Sequence, residues 1–253
     1  MRNIPNAYDD HDRASAYADL GFSGTYYLAF RDVPLLLERH AAGRRALDFG
    51  CGAGRSTRFL KSLGYDAIGI DVAEPMLCMA RERDPDGTYL LVEDDAATGW
   101  PDGPFDVVLA AYPFDNIAGH EHRLRLLEAI RRRLAPAGRL LLIASAAELY
   151  AHEWLSFTTA YPENKGARTG DIVRIAITDG DDARPIEDVL WEDSAWREDF
   201  ASAGFTLIDT HRPLGRDDEP YPWQMELTVS PWSLYVCGRR TADDNAGRGT
   251  ADG

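Results

Sequence analysis

Between Arg45 and Asp71 the chain reads RALDFGCGAGRSTRFLKSLGYDAIGID, and few folds accept such a stretch. Ala46, Leu47 and Phe49 form a short apolar run that enters Gly50-Cys51-Gly52-Ala53-Gly54. Phe59, Leu60 and Leu63 then recur at the spacing of one buried helix face, and 67–70 is a second apolar run ending on Asp71. Strand, glycine-rich turn, helix and strand follow in that order. Three glycines in five residues let the backbone turn and come close to a ligand without Cβ clashes. The helix that follows presents free N–H groups and its positive end at the same place. A carboxylate at the tip of the second strand is the expected partner for the two hydroxyls of a ribose.

The spacing G-x-G-x-G is one residue tighter than the dinucleotide fingerprint, and Asp48 stands two places before the first glycine. An acid there repels a phosphate but can hold a cationic amino group, which disfavours a nicotinamide dehydrogenase. The run D-F-G-C-G-A-G resembles motif I of the class I S-adenosylmethionine (SAM) dependent methyltransferases of the small-molecule type, with Asp71 at the position of their ribose-binding acid. The resemblance implies an α/β fold. Its core is a Rossmann-like, seven-stranded, mostly parallel sheet with an antiparallel seventh strand. It also implies SAM as cofactor and S-adenosylhomocysteine as product. Asp48, Gly50, Cys51, Gly52, Gly54, Asp71, Val72 and Met76 are then cofactor-binding positions, although Met76 reads more readily as core.

Composition narrows the partners. A formal net charge of −15 and a pI near 4.8 argue against nucleic acid and anionic membrane, both of which need positive potential. Cys51, Cys78 and Cys237 form no C-x-x-C pair, so neither a disulfide scaffold nor a metal site is expected. With a polar N-terminus and no long apolar run, a soluble cytoplasmic protein is expected, with a homodimer possible as its assembly.

Residues 1–44 precede the first strand, with helical patterns at 12–20 and 34–40. By resemblance this segment is a lid over the cofactor, and Tyr17, Tyr26 and Arg31 are its candidate contacts, Arg31 gripping a carboxylate through paired N–H groups. A helix over 74–83 and a third strand over 88–92 follow. Glu93-Asp94-Asp95-Ala96 resembles the family's adenine-binding stretch, with Asp94 standing where the family has glycine; Asp94, Asp95 and Ala96 are the candidates. The fourth strand, 105–111, is almost continuously apolar, as a parallel strand covered on both faces should be. Its end runs into Tyr112-Pro113-Phe114-Asp115-Asn116, and ligands collect at such strand ends. Helix 120–134, a turn at 135–138 and a fifth strand at 139–144 come next.

About fifty residues, 145–193, exceed a minimal core. Two alternating runs, 172–178 and 186–191, read as a hairpin across the turn region 179–182, and Tyr150, His152, Trp154, Phe157 and Tyr161 crowd the segment. It is expected to be a cap that sets acceptor specificity. Ser194 reads as the N-cap of a helix over 195–203, and strands are expected at 205–210 and 231–238. The methyltransferase domain is therefore 45–238, and 239–253 is expected to be a disordered tail.

Methyl transfer depends on alignment, and a base is needed only if the acceptor must lose a proton. Tyr112, Asn116 and His152 are the catalytic candidates, Tyr112 being also a cofactor-binding candidate, with Asp115, Glu148 and Glu153 nearby in sequence. The leading reading is methyl transfer to O, N or C of a small metabolite in biosynthetic tailoring. Non-methylating SAM chemistry such as cyclisation, or a non-catalytic SAM sensor, are the alternatives.

Overall fold

The computed structural model describes residues 10–94, 98–179 and 182–240. Three short helices lead in: α1 (His11–Ala18), α2 (Thr25–Arg31) and α3 (Val33–His40). The core then runs β1 (Arg45–Phe49), α4 (Arg55–Ser62), β2 (Asp66–Asp71), α5 (Glu74–Arg83), β3 (Thr88–Leu91), β4 (Phe105–Ala111), α6 (His120–Arg133) and β5 (Leu134–Ser145). A cap follows with β6 (Phe157–Thr158), β7 (Ile172–Ile177) and β8 (Ile186–Val189). The chain returns through α7 (Asp193–Ser202), β9 (Phe205–His211) and β10 (Trp232–Arg239).

Seven strands form one sheet in the order β3-β2-β1-β4-β5-β10-β9. β10 runs antiparallel to both β5 and β9, and the pairs from β3 across to β5 are parallel. The order reverses between β1 and β4, which opens a crevice at the carboxyl ends of those two strands. Each face of the sheet carries its own core. Val107 and Leu109 pack with one cluster and Val108 and Ala110 with the other, all four without exposed surface. That alternation explains why β4 reads as an unbroken apolar run.

The expected hairpin forms as β7 and β8, and β6 pairs with β7 to complete a three-stranded cap sheet; residues 180 and 181 of its turn lie outside the described residues. Three details depart from the sequence reading. The turn at 135–138 is absorbed into β5, with a register shift opposite Phe105–Val107. Helix α7 starts at Asp193 behind Glu192, not behind Ser194. Tyr235 and Arg197 both donate to Asp193 there. Helix α2 carries no clean amphipathic period because five of its seven residues are buried. The last strand extends to Arg239, and 241–253 lie outside the described residues. Among the described residues no helix is long and apolar enough to cross a membrane.

Candidate functional site

The glycine turn is held from two sides. Gly50 and Cys51 both donate their N–H groups to the Ile70 carbonyl, at 2.9 and 3.0 Å. Gly52 N–H donates to Asp71 Oδ2 at 2.7 Å, and Ala73 N–H donates to Asp71 Oδ1 at 2.9 Å. Asp71 therefore fixes the turn and the β2 exit together. Gly50 and Gly54 have φ of 70° and 76°, a region only glycine enters freely. A Cβ on Gly50 would stand 2.5 Å from Pro113, so the turn also abuts the loop after β4.

A cleft of about 1170 Å³, open to solvent, lies at this point. Gly50, Gly52, Asp71, Val72 and Met76 line it, as the sequence implied. So do Glu93 and Asp94 after β3, Tyr112 and Asn116 after β4, and Tyr17 from α1. Asp95 and Ala96 lie outside the described residues. Trp100 and His122 are among the cleft residues that escaped the sequence reading. His122 Nε2 lies 2.9 Å from Asp94 Oδ1, so the β3 loop and α6 meet across the cleft rim. No sequence pattern links positions 94 and 122; only the β3–α6 juxtaposition does.

A smaller crevice of about 380 Å³ shares Tyr17, Gly50, Gly52 and Tyr112 with the cleft and adds Cys51 and Arg55. Here the structure corrects the choice of cation. Arg31 is bound to Asp32 (2.7 Å), Glu219 (2.6 Å) and the Leu214 carbonyl, and lines neither space. Arg55, the first residue of α4, takes the place expected for Arg31. Its guanidinium lies over the rings of Tyr17, Phe22 and Tyr26 at 4.9–5.4 Å and donates to the carbonyls of Leu20 and Gly21. Among the described residues no carboxylate pairs with it, which leaves a cation in reach of an anionic ligand group. Tyr26 is corrected too. It is buried against Tyr112, Phe157 and Trp232, and contributes to the wall behind the site.

Asp48 has no exposed surface and does not line the cleft. Its Oδ2 accepts 2.6 Å bonds from both Ser56 and Thr57, anchoring the first turn of α4, while Oδ1 has no partner. Burial pushes its carboxyl up to about 6 against the pull of those hydroxyls.

The loop after β4 is strained. Tyr112 has φ 73°, the one non-glycine residue with positive φ among the described residues, which costs on the order of 1–3 kcal/mol. Its N–H bond to Ile143 (2.9 Å) and the rings of Tyr26 and Trp232 hold it there. Its buried hydroxyl has no partner, and burial pushes the phenol well up. Asp115 accepts from Ser145 N–H and Oγ, and burial raises its carboxyl to about 7. Asn116 donates to the Glu187 carbonyl and to Asp188 Oδ1, tying the cleft to β8 of the cap. His152 is not brought to the cleft: its ring meets Trp154 edge-on. Glu148 pairs with Arg212 and Glu153 accepts from Thr159, so the cap acids are also placed elsewhere.

Residues 47–142 match the family model described as a methyltransferase domain. A demethylmenaquinone methyltransferase of Thermus thermophilus is 38% identical over 118 residues, covering 45% of this chain and 51% of the relative. A protein-L-isoaspartate O-methyltransferase of Anaeromyxobacter dehalogenans is 33% identical over 147 residues, 53% of this chain and 65% of its own. The chain thus spans about half to two thirds of the length of these curated relatives. Among solved structures, a glycopeptide N-methyltransferase complexed with SAM superposes with a TM-score of 0.61 at 17% identity, covering 84% of this chain and 94% of that one. The CcbJ methyltransferase of Streptomyces caelestis gives 0.60 at 18%, covering 85% and 90%; at such identity the likeness shows the fold.

Proposed function

We propose that the chain, whose residues 47–142 match a methyltransferase-domain family model, is a class I, SAM-dependent methyltransferase that methylates a small-molecule acceptor. One observation carries the reading: the glycine turn, Asp71, Asp94, Tyr112 and Asn116, far apart in sequence, line a single cleft at the strand ends. The residues present suit SAM. Asp71 stands at the β2 tip for the ribose. Val72, Met76 and Asp94 line the same cleft for the nucleoside. Arg55, with no carboxylate partner among the described residues, offers a cation for the amino-acid carboxylate, and the orphaned Asp48 Oδ1 adds negative potential behind the glycine turn. SAM, when bound, supplies a methyl group activated on a sulfonium.

The protein's own part is alignment, which can account for about 7–11 kcal/mol in well-oriented reactions. The titratable side chains that line the cleft, Asp71, Glu93, Asp94 and His122, belong to the nucleoside side, apart from the two tyrosines. Tyr112 is a poor base with its phenol pushed up, and His152 lies elsewhere. We therefore assign Tyr112 and Asn116 to acceptor placement and no residue to proton abstraction. The matched relatives' names include a quinone-precursor and a protein methyltransferase, and the solved neighbours a glycopeptide methyltransferase. The net charge of −15 favours a small acceptor over RNA.

Calorimetry with S-adenosylhomocysteine and with NAD tests the cofactor. Binding of the first and silence from the second are expected; silence from both removes the reading.

A further inference from the structure

Asn116 is the one cleft-lining amide whose two ends can be told apart from its surroundings. Its amide nitrogen lies 3.1 Å from the Glu187 carbonyl and 2.8 Å from Asp188 Oδ1. Both neighbours are acceptors, and an amide presents two N–H donors at one end and a lone-pair oxygen at the other. Turning the amide over would set its oxygen against a carbonyl and a carboxylate, so the NH₂ end is fixed toward the cap. Both N–H groups are then used. Among the described residues nothing donates to Oδ1, and Asn116 lines the cleft.

Asp188 is itself held. It is buried on β8, and its other oxygen accepts from the Tyr150 hydroxyl at 2.9 Å. The two bonds fall on different oxygens. Asp188 therefore keeps an acceptor toward Asn116 even with a proton on the Tyr150 side, as burial and the nearby Asp115 charge favour.

We propose that Asp188 is a positioning residue that locks Asn116 so that this side chain offers the acceptor substrate a carbonyl oxygen and no donor. The acceptor is then a molecule whose reacting group carries an O–H or N–H. This deepens the methyltransferase reading and rests on it for the word acceptor; the lock itself does not. A ligand without that hydrogen would leave Oδ1 facing an apolar group without its bond, which a site of this kind rejects. The cap thus selects the nucleophile's class through the cleft wall.

The lock is read on ¹⁵N-labelled full-length protein without ligand. The Asn116 side-chain NH₂ pair is expected downfield and slow to exchange in the wild type. In Asp188→Ala it should move to the shifts of a free amide, and in Asp188→Asn, which keeps an oxygen toward Asn116, it should stay. If Asp188→Ala does not fold, Asp188→Leu is read the same way. An unchanged pair in a folded Asp188→Ala or Asp188→Leu protein overturns the lock.

The preference is read on the S-adenosylhomocysteine complex with matched probes, phenol against anisole and aniline against N,N-dimethylaniline. Phenol and aniline should shift the Asn116 signals at concentrations about tenfold below their methylated partners, and Asp188→Ala should erase the difference. Equal responses within each pair, or no response to any probe, overturn the donor preference. If S-adenosylhomocysteine itself does not bind, the methyltransferase reading falls while the amide result stands on its own.

Discussion

Asp71 supports the turn and is placed to hold the sugar, so its removal should act twice. Asp71→Ala releases Gly52 and Ala73 from bonds to a charged acceptor, each worth about 1.5–3 kcal/mol. A loss of at least tenfold in S-adenosylhomocysteine affinity is expected by calorimetry. The two arginines separate by the same measurement. Arg55→Ala should weaken binding severalfold, whereas Arg31→Ala should leave affinity unchanged and lower the melting temperature through its lost pairs with Asp32 and Glu219. Asp48 gives a pH signature. Its carboxyl titrates near 3.8 when unfolded and near 6 when folded, so between those values the folded state binds more protons. Its contribution to stability therefore falls as pH rises from about 4 to 6 and stays low above. Asp48→Asn should stabilise the fold at pH 8 and not at pH 4, by on the order of 2–3 kcal/mol, read as a raised melting temperature. The glycines and Asp71 were legible because backbone geometry demands those residue types at that spacing. Arg55 was not, since its position in the motif says nothing about which rings from α1 and α2 will surround it.

Elements with a strong apolar pattern were legible from sequence: the continuous run of β4, the alternating β7–β8 pair and the segments around the glycine turn. Helix α2 was hidden because burial on several sides erases amphipathic contrast. The reason lies in a hub that only the fold assembles. Glu226 has no exposed surface and accepts from Thr25 Oγ1 (2.6 Å), Leu155 N–H (2.8 Å) and Gln224 N–H (2.9 Å). One carboxylate thus joins α2, the cap and the segment before β10. Glu226→Ala leaves one buried and two part-buried donors unmatched and should cost about 3 kcal/mol. That corresponds to a fall of roughly 5–10 °C in thermal melting. Helix α1 is fastened differently. Arg13 pairs with Asp182 (3.2 Å) and Arg184 with Asp10 (3.3 Å) at the hairpin, and Arg83 holds Asp19 at the other end. The apolar contact beneath is a patch of alanines with Met76. Exposed pairs of this kind give at most about 1 kcal/mol each and weaken with salt. Arg184→Ala, or high salt on the wild type, should speed S-adenosylhomocysteine release a few-fold in stopped-flow fluorescence.

Across the whole molecule, the charge balance and the β3-β2-β1-β4-β5-β10-β9 order act together. The order places a crevice where β1 and β4 part, and the charge of −15 decides what approaches it. Retention of tRNA in a gel-shift at physiological salt is expected to be nil. The sheet was readable in advance because parallel strands covered on both faces must be apolar throughout. The hydrogen-bonded chain behind the cleft wall was not, since Asn116, Asp188 and Tyr150 share no sequence neighbourhood. A helix pinned at both ends across a doorway imposes a queue. Tyr17 stands on α1 and borders both the cleft and the smaller crevice beside Arg55, so α1 forms part of the wall that a ligand passes. Steady-state kinetics should be compulsory-ordered, nucleoside first in and last out, with S-adenosylhomocysteine competing only against its own parent.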